Sequence, residues 1–475
     1  MGMLPRKALP AWLMIWLMCC TWADSSYAAT PKPNVVFILC DNLGYGDVGC
    51  YGSTLHRTPH VDRLAVEGLK LTGFYAASGV CTPSRASLMT GCYPRRVNMH
   101  VSDKGGAVLQ PVSPKGLNPD EVTIAEVMKS AGYATMLIGK WHLGDQLPHL
   151  PTRQGFDHYF GIPYSDDMTP RAGQTWPPLP LMRDEAVVEA PVDCRFLTKR
   201  YTEEAIGFIK TNQHKPFFLL LSHATPGSTT KPEVAPEFSG RSRNGAWGDS
   251  VEELDWSTGE LLRVLKELKL DEKTLIVWTS DNGAPRRNPV QGSNLPLGGW
   301  GYTTAEGGMR VPCLVRWPGQ IKPGQTTAAL TTMMDWVPTL ASLCGGKLSR
   351  ENQIDGKDIG PLLLAPKKVR SPHEVFFYYQ GAELQAVRDG RWKLYLKGSQ
   401  VDRTKKVRTD AALFEIGLDP EEKNDVAAQH PDIVRRLERE AIRAREELGD
   451  GLGAGKGQRP AGMATEVTPR VPPGA

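Results

Sequence analysis

Three groups of residues in this chain carry side chains suited to chemistry. The first is Cys81-Thr82-Pro83-Ser84-Arg85, continued by Ala86-Ser87-Leu88-Met89-Thr90-Gly91. Pro83 reads as the first position of a helix, because its ring presets φ and its missing N–H would have no intrahelical partner there. Cys81 then lies at a helix start, where unpaired backbone N–H groups and the positive end of the dipole favour an anionic group or a charge developing on one. The second group is Asp41-Asn42 with Asp281-Asn282, two carboxylates and two amide oxygens. That is a hard oxygen set suited to Ca2+, or to Mg2+ in a small cage. The third is Lys140-Trp141-His142, an ammonium and an imidazole two residues apart, with His223 as a further imidazole. Taken singly, these features also fit a buried or disulfide-bonded cysteine, two ordinary turns and a surface strand end.

The elements that must position these residues form a pattern. Asn34 to Cys40 is a nearly continuous apolar run, which fits a strand buried on both faces of a largely parallel sheet, and it ends in Asp41. Ala134 to Gly139 delivers Lys140 and His142, Phe217 to Ser222 delivers His223, and Leu275 to Thr279 delivers Asp281 and Asn282. Four apolar strands thus run out into ionisable residues, and the carboxyl edge of an open α/β sheet is where such folds place their sites. Helices are predicted between them. One runs from a Thr58 cap to a Gly68 stop, one from an Asn118 cap to Gly132, and one from Val251 to Leu270. Beyond Gly345, short strands at 375–379, 384–388, 392–396 and 413–416 predict a small antiparallel sheet, closed by a helix from Pro431 to Leu448.

The Cys81 stretch resembles the signature of type I sulfatases, Cys-x-Pro-Ser-Arg followed by Ala-Ser-Leu-Met-Thr-Gly, and matches every specified position. Gly139-Lys140-Trp141-His142-Leu143-Gly144 likewise matches that family's Gly-Lys-Trp-His-Leu-Gly motif. The resemblance spans Asn34 to about Asp425. It implies an alkaline phosphatase-like α/β fold, with a large, mostly parallel mixed sheet flanked by helices and a smaller C-terminal antiparallel sheet and helix. It also implies that Cys81 is oxidised to formylglycine by a formylglycine-generating enzyme. One hydroxyl of the hydrated aldehyde attacks sulfur, and the second loses its proton to expel sulfate. By the same resemblance Asp41, Asn42, Asp281 and Asn282 hold Ca2+ beside residue 81, Lys140 meets a sulfate oxygen, His142 bonds the diol, and Arg85 steadies its second oxygen and the metal-side charge. The substrate would be a sulfate ester, such as a sulfated carbohydrate. Two rival functions are a phosphonate or phosphodiester hydrolase sharing the formylglycine, and a catalytically weak binder of sulfated glycans.

This chain departs from the family pattern at three places. Asn42 stands where many members have a second aspartate, which removes one negative charge from the metal set. Gly227 stands where a histidine commonly protonates the leaving alcohol, and Gly301 where a lysine usually reaches the sulfate. His223 or Lys231 is a candidate replacement for the first, and Arg286 or Arg287 for the second. Residues 164–195 and 224–247 are the expected pocket-shaping loops.

Composition sets the wider frame. A formal charge of +4 over 475 residues is mild, and no dense Lys/Arg run with interleaved aromatics points to nucleic acid. Arg6 and Lys7, the apolar run from Ala8 to Trp22 and the small-residue stretch to Ala29 read as a secretory signal. The run is shorter than the ~20 residues that a bilayer span needs. An exported protein, periplasmic or secreted, with no transmembrane anchor is therefore expected. Removing Cys19 and Cys20 with the signal leaves seven cysteines, an odd number consistent with one being converted. The predicted layout is a signal peptide at 1–29, a catalytic domain at 30–365, an α+β subdomain at 366–448 and a disordered Gly/Pro/Ala-rich tail at 449–475.

Overall fold

The runs expected as buried strands assemble into one ten-stranded sheet in a computed structural model that describes residues 1–2, 32–400, 407–472 and 474. In chain order the strands are β1 (Asn34–Asp41), β2 (Leu69–Leu71), β3 (Ala134–Gly139), β4 (His158–Gly161), β5 (Leu181–Arg183), β6 (Ala186–Glu189), β7 (Phe217–Pro226), β8 (Thr274–Ser280), β9 (Cys313–Arg316) and β10 (Gln325–Thr327). The spatial order is β10-β2-β9-β8-β1-β7-β3-β4-β5-β6. The five central strands, β8, β1, β7, β3 and β4, are mutually parallel, and antiparallel pairings begin at β9 and β5. Every residue of β1, β7 and β8 is buried, as strands covered on both faces require.

Helices cover both faces. The apolar core on one side joins alternate sheet residues such as Phe37, Phe218 and Val277 to α2 (Cys81–Thr90), α3 (Ile124–Ser130) and α6 (Trp336–Cys344). The core on the other side joins Ile38, Leu219 and Ile276 to α1 (Pro59–Glu67), α4 (Leu197–Thr211) and α5 (Gly245–Glu267). Strands β11 (Phe376–Gln380), β12 (Glu383–Arg388), β13 (Trp392–Tyr395) and β14 (Ala412–Glu415) form a separate antiparallel sheet in sequence order, backed by α7 (Pro431–Leu448). Its core includes Tyr75, Met309 and Met334 from the larger body, so the two sheets share an interface.

Several expectations need correcting. Helix α2 begins at Cys81, two residues earlier than Pro83 indicated, so the cysteine occupies the first turn itself. Helix α3 is capped by Thr123, whose hydroxyl accepts from the Glu126 amide while Glu126 returns to the Thr123 amide; Asn118 lies outside it. Helix α5 starts six residues before Val251. Thr58 does stand at the start of α1, but its hydroxyl bonds Asp62 and Gly49 instead of capping. The tail expected to be disordered is bound to the body: Gly462-Met463 pairs with Lys115-Gly116, and Arg459 forms an ion pair with Glu121 at 2.7 Å. All seven cysteines from Cys40 onward are unpaired. The signal peptide expected at 1–29 lies, from residue 3 on, outside the described residues, and no helix among the described residues is long and apolar enough to cross a membrane.

Candidate active site

Strands β1 and β8 end side by side and bring Asp41 and Asp281 together, while the start of α2 brings Cys81 to them from one face of the sheet. One ligand atom from each of Asp41, Cys81 and Asp281 can lie within 4.8 Å of the others. All three residues are buried, with Cys81 at 4% exposure and both aspartates at none. Arg85, one turn along α2, holds the pair in register. Its Nη2 donates to Asp41 at 2.9 Å and lies 2.9 Å from Asp281, while Nη1 reaches the Ser222 hydroxyl at 2.6 Å and the Lys140 carbonyl at 2.9 Å. Lys140 Nζ adds 2.7 Å to Asp41 and 3.1 Å to the Ser165 hydroxyl.

The two carboxylates answer differently to this crowding. Burial would raise both, but Lys140 and Arg85 together hold Asp41 well below the usual carboxylate range. At Asp281, burial and then the charge on Asp41 win, and its carboxyl is pushed up to about 7. The amides complete the set. Asn42 adopts φ 61°, its N–H donates to Asp281 at 3.0 Å, and its Oδ1 accepts from Asn282 at 2.6 Å. Asn282 Oδ1 is buried with no hydrogen-bond partner. A buried acceptor left bare beside two carboxylates fits a hard divalent cation.

His142 is held in a left-handed backbone conformation, φ 62°, by hydrogen bonds from its N–H to Pro163 and from Thr82 to its carbonyl. Its Nε2 lies 3.0 Å from the Leu109 carbonyl, which assigns the proton to that nitrogen and leaves Nδ1 bare and buried. Burial, then Lys140 and Arg85, hold this imidazole well below the usual histidine range, so it is neutral. His142 and Cys81 line one cavity of about 330 Å³, together with Val108, Ser165, Tyr302 and Gln380. It adjoins a larger cleft of about 690 Å³, and Asp167, Ser228 and Arg287 line both.

His223 is not part of this assembly. Strand β7 runs on to Pro226 instead of ending at Ser222, with an irregularity opposite Leu39 to Asp41. Alternation along it points Ser222 towards Arg85 and His223 to the opposite face, 3.4 Å from Ser257 on α5 and beside Tyr201 on α4. Burial alone pushes its imidazole down to about 3. Lys231 and Arg287 do reach the cleft, and Arg287 donates to the Ser228 carbonyl. Neither glycine substitution is a vacancy. A Cβ on Gly301 would come within 2.2 Å of the Gly283 carbonyl, and one on Gly227, at φ 79°, within 2.6 Å of the Ala224 carbonyl. Sequence reasoning missed Ser165, Ser222, Ser228 and Tyr302. Ser165 follows the carboxyl end of β4, the signal that had marked Asp41 and Asp281, and Ser222 lies within β7, but serine and tyrosine carry no charge to draw notice.

Known proteins share this arrangement along most of the chain. The sulfatase family profile matches residues 33–346, and that of the C-terminal region of aryl-sulfatase matches residues 371–452. Steryl-sulfatase of Mus musculus is 39% identical over 462 residues, covering 80% of this chain and 74% of that protein. Arylsulfatase A of Homo sapiens is 38% identical, covering 86% and 87%. The crystal structure of PsFucS1 sulfatase from Pseudoalteromonas sp. superposes with a TM-score of 0.75 at 29% identity, over 87% of this chain and 91% of that one. Agreement of this extent, over both the catalytic sheet and the C-terminal region, places the chain in the sulfatase family as an enzyme that hydrolyses sulfate esters.

Proposed function

We propose that Cys81, converted to formylglycine by a formylglycine-generating enzyme, is the nucleophile of an exported sulfatase that uses Ca2+, or Mg2+, held by Asp41, Asn42, Asp281 and Asn282. The observation that carries this reading is the convergence of Cys81, Asp41 and Asp281 within one ligand sphere beside the bare Asn282 Oδ1. The thiol sulfur stands where the oxygens of the hydrated aldehyde would lie. That group supplies a hydroxyl to attack sulfur and a second from which sulfate is released; the cation supplies positive charge beside the sulfuryl oxygens.

The chain's own residues do the rest. Arg85 bridges both carboxylates and keeps them aimed, and Lys140 adds a fixed ammonium one hydrogen bond from Asp41. His142, neutral with Nδ1 bare, is the base in the cavity that it shares with residue 81. Residue 81 opens α2, so a charge that develops on it lies at the positive end of the helix dipole. The residues at the amino end support export, since they combine a basic start with a short apolar run.

The test is co-expression with a formylglycine-generating enzyme, followed by the mass of the peptide containing Cys81, metal analysis and turnover of 4-nitrophenyl sulfate. A peptide lighter than its cysteine form, a bound divalent cation and activity lost in Cys81→Ala are the expected results. Full activity in Cys81→Ala would remove the mechanism.

A further inference from the structure

A sulfate ester with a poor leaving alcohol needs a proton delivered to the departing oxygen, and Gly227 supplies none. The structure instead fills the space beside Gly227 with a carboxyl group. A Cβ built on Gly227 would lie 2.9 Å from Asp166 Oδ2 and 3.1 Å from Oδ1, so Asp166 stands where a side chain at 227 would begin. Its position is determined by short links to the rest of the site. Lys140 Nζ donates to the Ser165 hydroxyl at 3.1 Å, that hydroxyl lies 3.3 Å from Asp166 Oδ1, and the Gly227 N–H donates to the Asp41 carbonyl at 3.1 Å. Asp166 lines the 690 Å³ cleft that adjoins the Cys81 cavity, and its neighbour Asp167 lines both.

We propose that Asp166 is the general acid that protonates the leaving alcohol, in place of a histidine at position 227. The inference rests on the reading of residue 81 as the nucleophile. As the oxygen on residue 81 bonds to sulfur, the bond from sulfur to the ester oxygen breaks and its electron pair stays on that oxygen. The Asp166 carboxyl proton passes to it, giving a neutral alcohol and a carboxylate, which regains a proton from water in the cleft before the next turnover. The groups facing Asp166 favour the protonated starting state: burial first, then the charges of Asp167 and Asp41, outweigh Lys140 and push its carboxyl up to about 7. Cys194 and the Tyr201 hydroxyl, from the α4 side, also lie within its field, and Arg171, Lys231, Glu233 and Arg287 line the same cleft.

The experiment is kcat/KM for a series of aryl and alkyl sulfates graded by leaving-group acidity, on the enzyme carrying formylglycine and on its Asp166→Asn, Asp166→Glu and Lys231→Ala variants. Positioned general acids contribute about 10²–10⁴-fold, so Asp166→Asn should lose about 100-fold or more on the poorest leaving groups. The loss should shrink as the alcohol becomes more acidic, steepening the dependence, while Asp166→Glu restores part of the shallow slope. An independent reading comes from the unaltered enzyme, where a limb of falling rate near neutral pH should appear for poor leaving groups and fade for 4-nitrophenyl sulfate. A metal-site titration would affect every substrate alike. An unchanged slope in Asp166→Asn, or steepening in Lys231→Ala instead, would overturn the assignment. Inactivity of the unaltered enzyme on every ester would count against the nucleophile, not against Asp166.

Discussion

Arg85 stands between the two carboxylates on which a cation would depend, with no exposed path for its own charge. It is 3% exposed, and Asp41 and Asp281 are fully buried on either side. Breaking a buried ion pair by removing one partner typically costs about 3–5 kcal/mol, because the remaining charge keeps its desolvation penalty. Arg85→Ala should therefore lower unfolding free energy by about that much in chelated protein. Added Ca2+ should recover part of the loss, since it neutralises the same two carboxylates. Denaturant unfolding with and without Ca2+ measures both quantities, and equal losses in the two conditions would mean that these carboxylates do not bind the cation. At this scale the sequence was informative wherever a charge followed a strand. Asp41, Lys140, His142 and Asp281 all converge as that pattern requires. His223 follows the same pattern and diverges, because one step of alternation carries it through the sheet to the α4 and α5 face.

Element boundaries were less legible than element identities, for local reasons. Helix α3 carries a Thr-x-x-Glu capping box at Thr123 and Glu126, a stronger start signal than the Asn118-Pro119 pair upstream. The first turns of α5 are Gly245, Gly248, Asp249 and Ser250, which read as loop; in the fold, Asp249 accepts from the Gly240 and Ser242 amides and ties the preceding segment down. The tail has no apolar period at all. It is held by pairings to residues more than 300 positions away, among them Arg459 with Glu121, Thr468 with Gln146 and Arg470 with the Asp145 carbonyl. Those partners adjoin the loops that fix His142, since Asp145 accepts from Val112 and the same stretch carries Leu109, the acceptor of the His142 proton. Removing residues 449–475 should leave turnover measurable but lower kcat, and hydrogen exchange should rise at 109–117 and 142–149. Unchanged exchange there would show that the tail covers the body without bracing it.

At the scale of the molecule, the described residues from Lys32 onward make one compact unit, and its stability should respond to pH as a whole. A buried network joins its two sheets: Glu306 accepts from Tyr75, Tyr378 and Lys393, and Lys393 also pairs with Glu422 at 2.7 Å. The sequence did not show this junction: Tyr75 lies 231 positions from Glu306, and although Glu306 falls in the Thr-Thr-x-Glu-Gly-Gly stretch, nothing in that stretch names Tyr378, Lys393 or Glu422 as its partners.

The same body buries acids that lack a full partner. Glu253 on α5 is inaccessible, its Oε2 has no hydrogen bond, and burial pushes its carboxyl up to about 8. Asp255 caps the start of α1 through the His60 and Val61 amides, yet burial still pushes it up to about 7. In each case the folded chain keeps a proton that the unfolded chain releases near the ordinary carboxylate value, 4.5 for Glu253. Their stabilising contribution is therefore complete in acid and is lost as pH rises from that value to about 8. Thermal midpoints recorded in chelator from pH 5 to pH 9 should fall across this window. Glu253→Gln keeps the shape and removes the titration, so its midpoint should fall less steeply and overtake the wild type at the alkaline end, by the equivalent of a few kcal/mol at most, on the order of 1.4 kcal/mol per pH unit. A wild-type curve flat over this range, or a Gln variant that tracks it in parallel, would show that Glu253 is ionised in the fold and has a partner there.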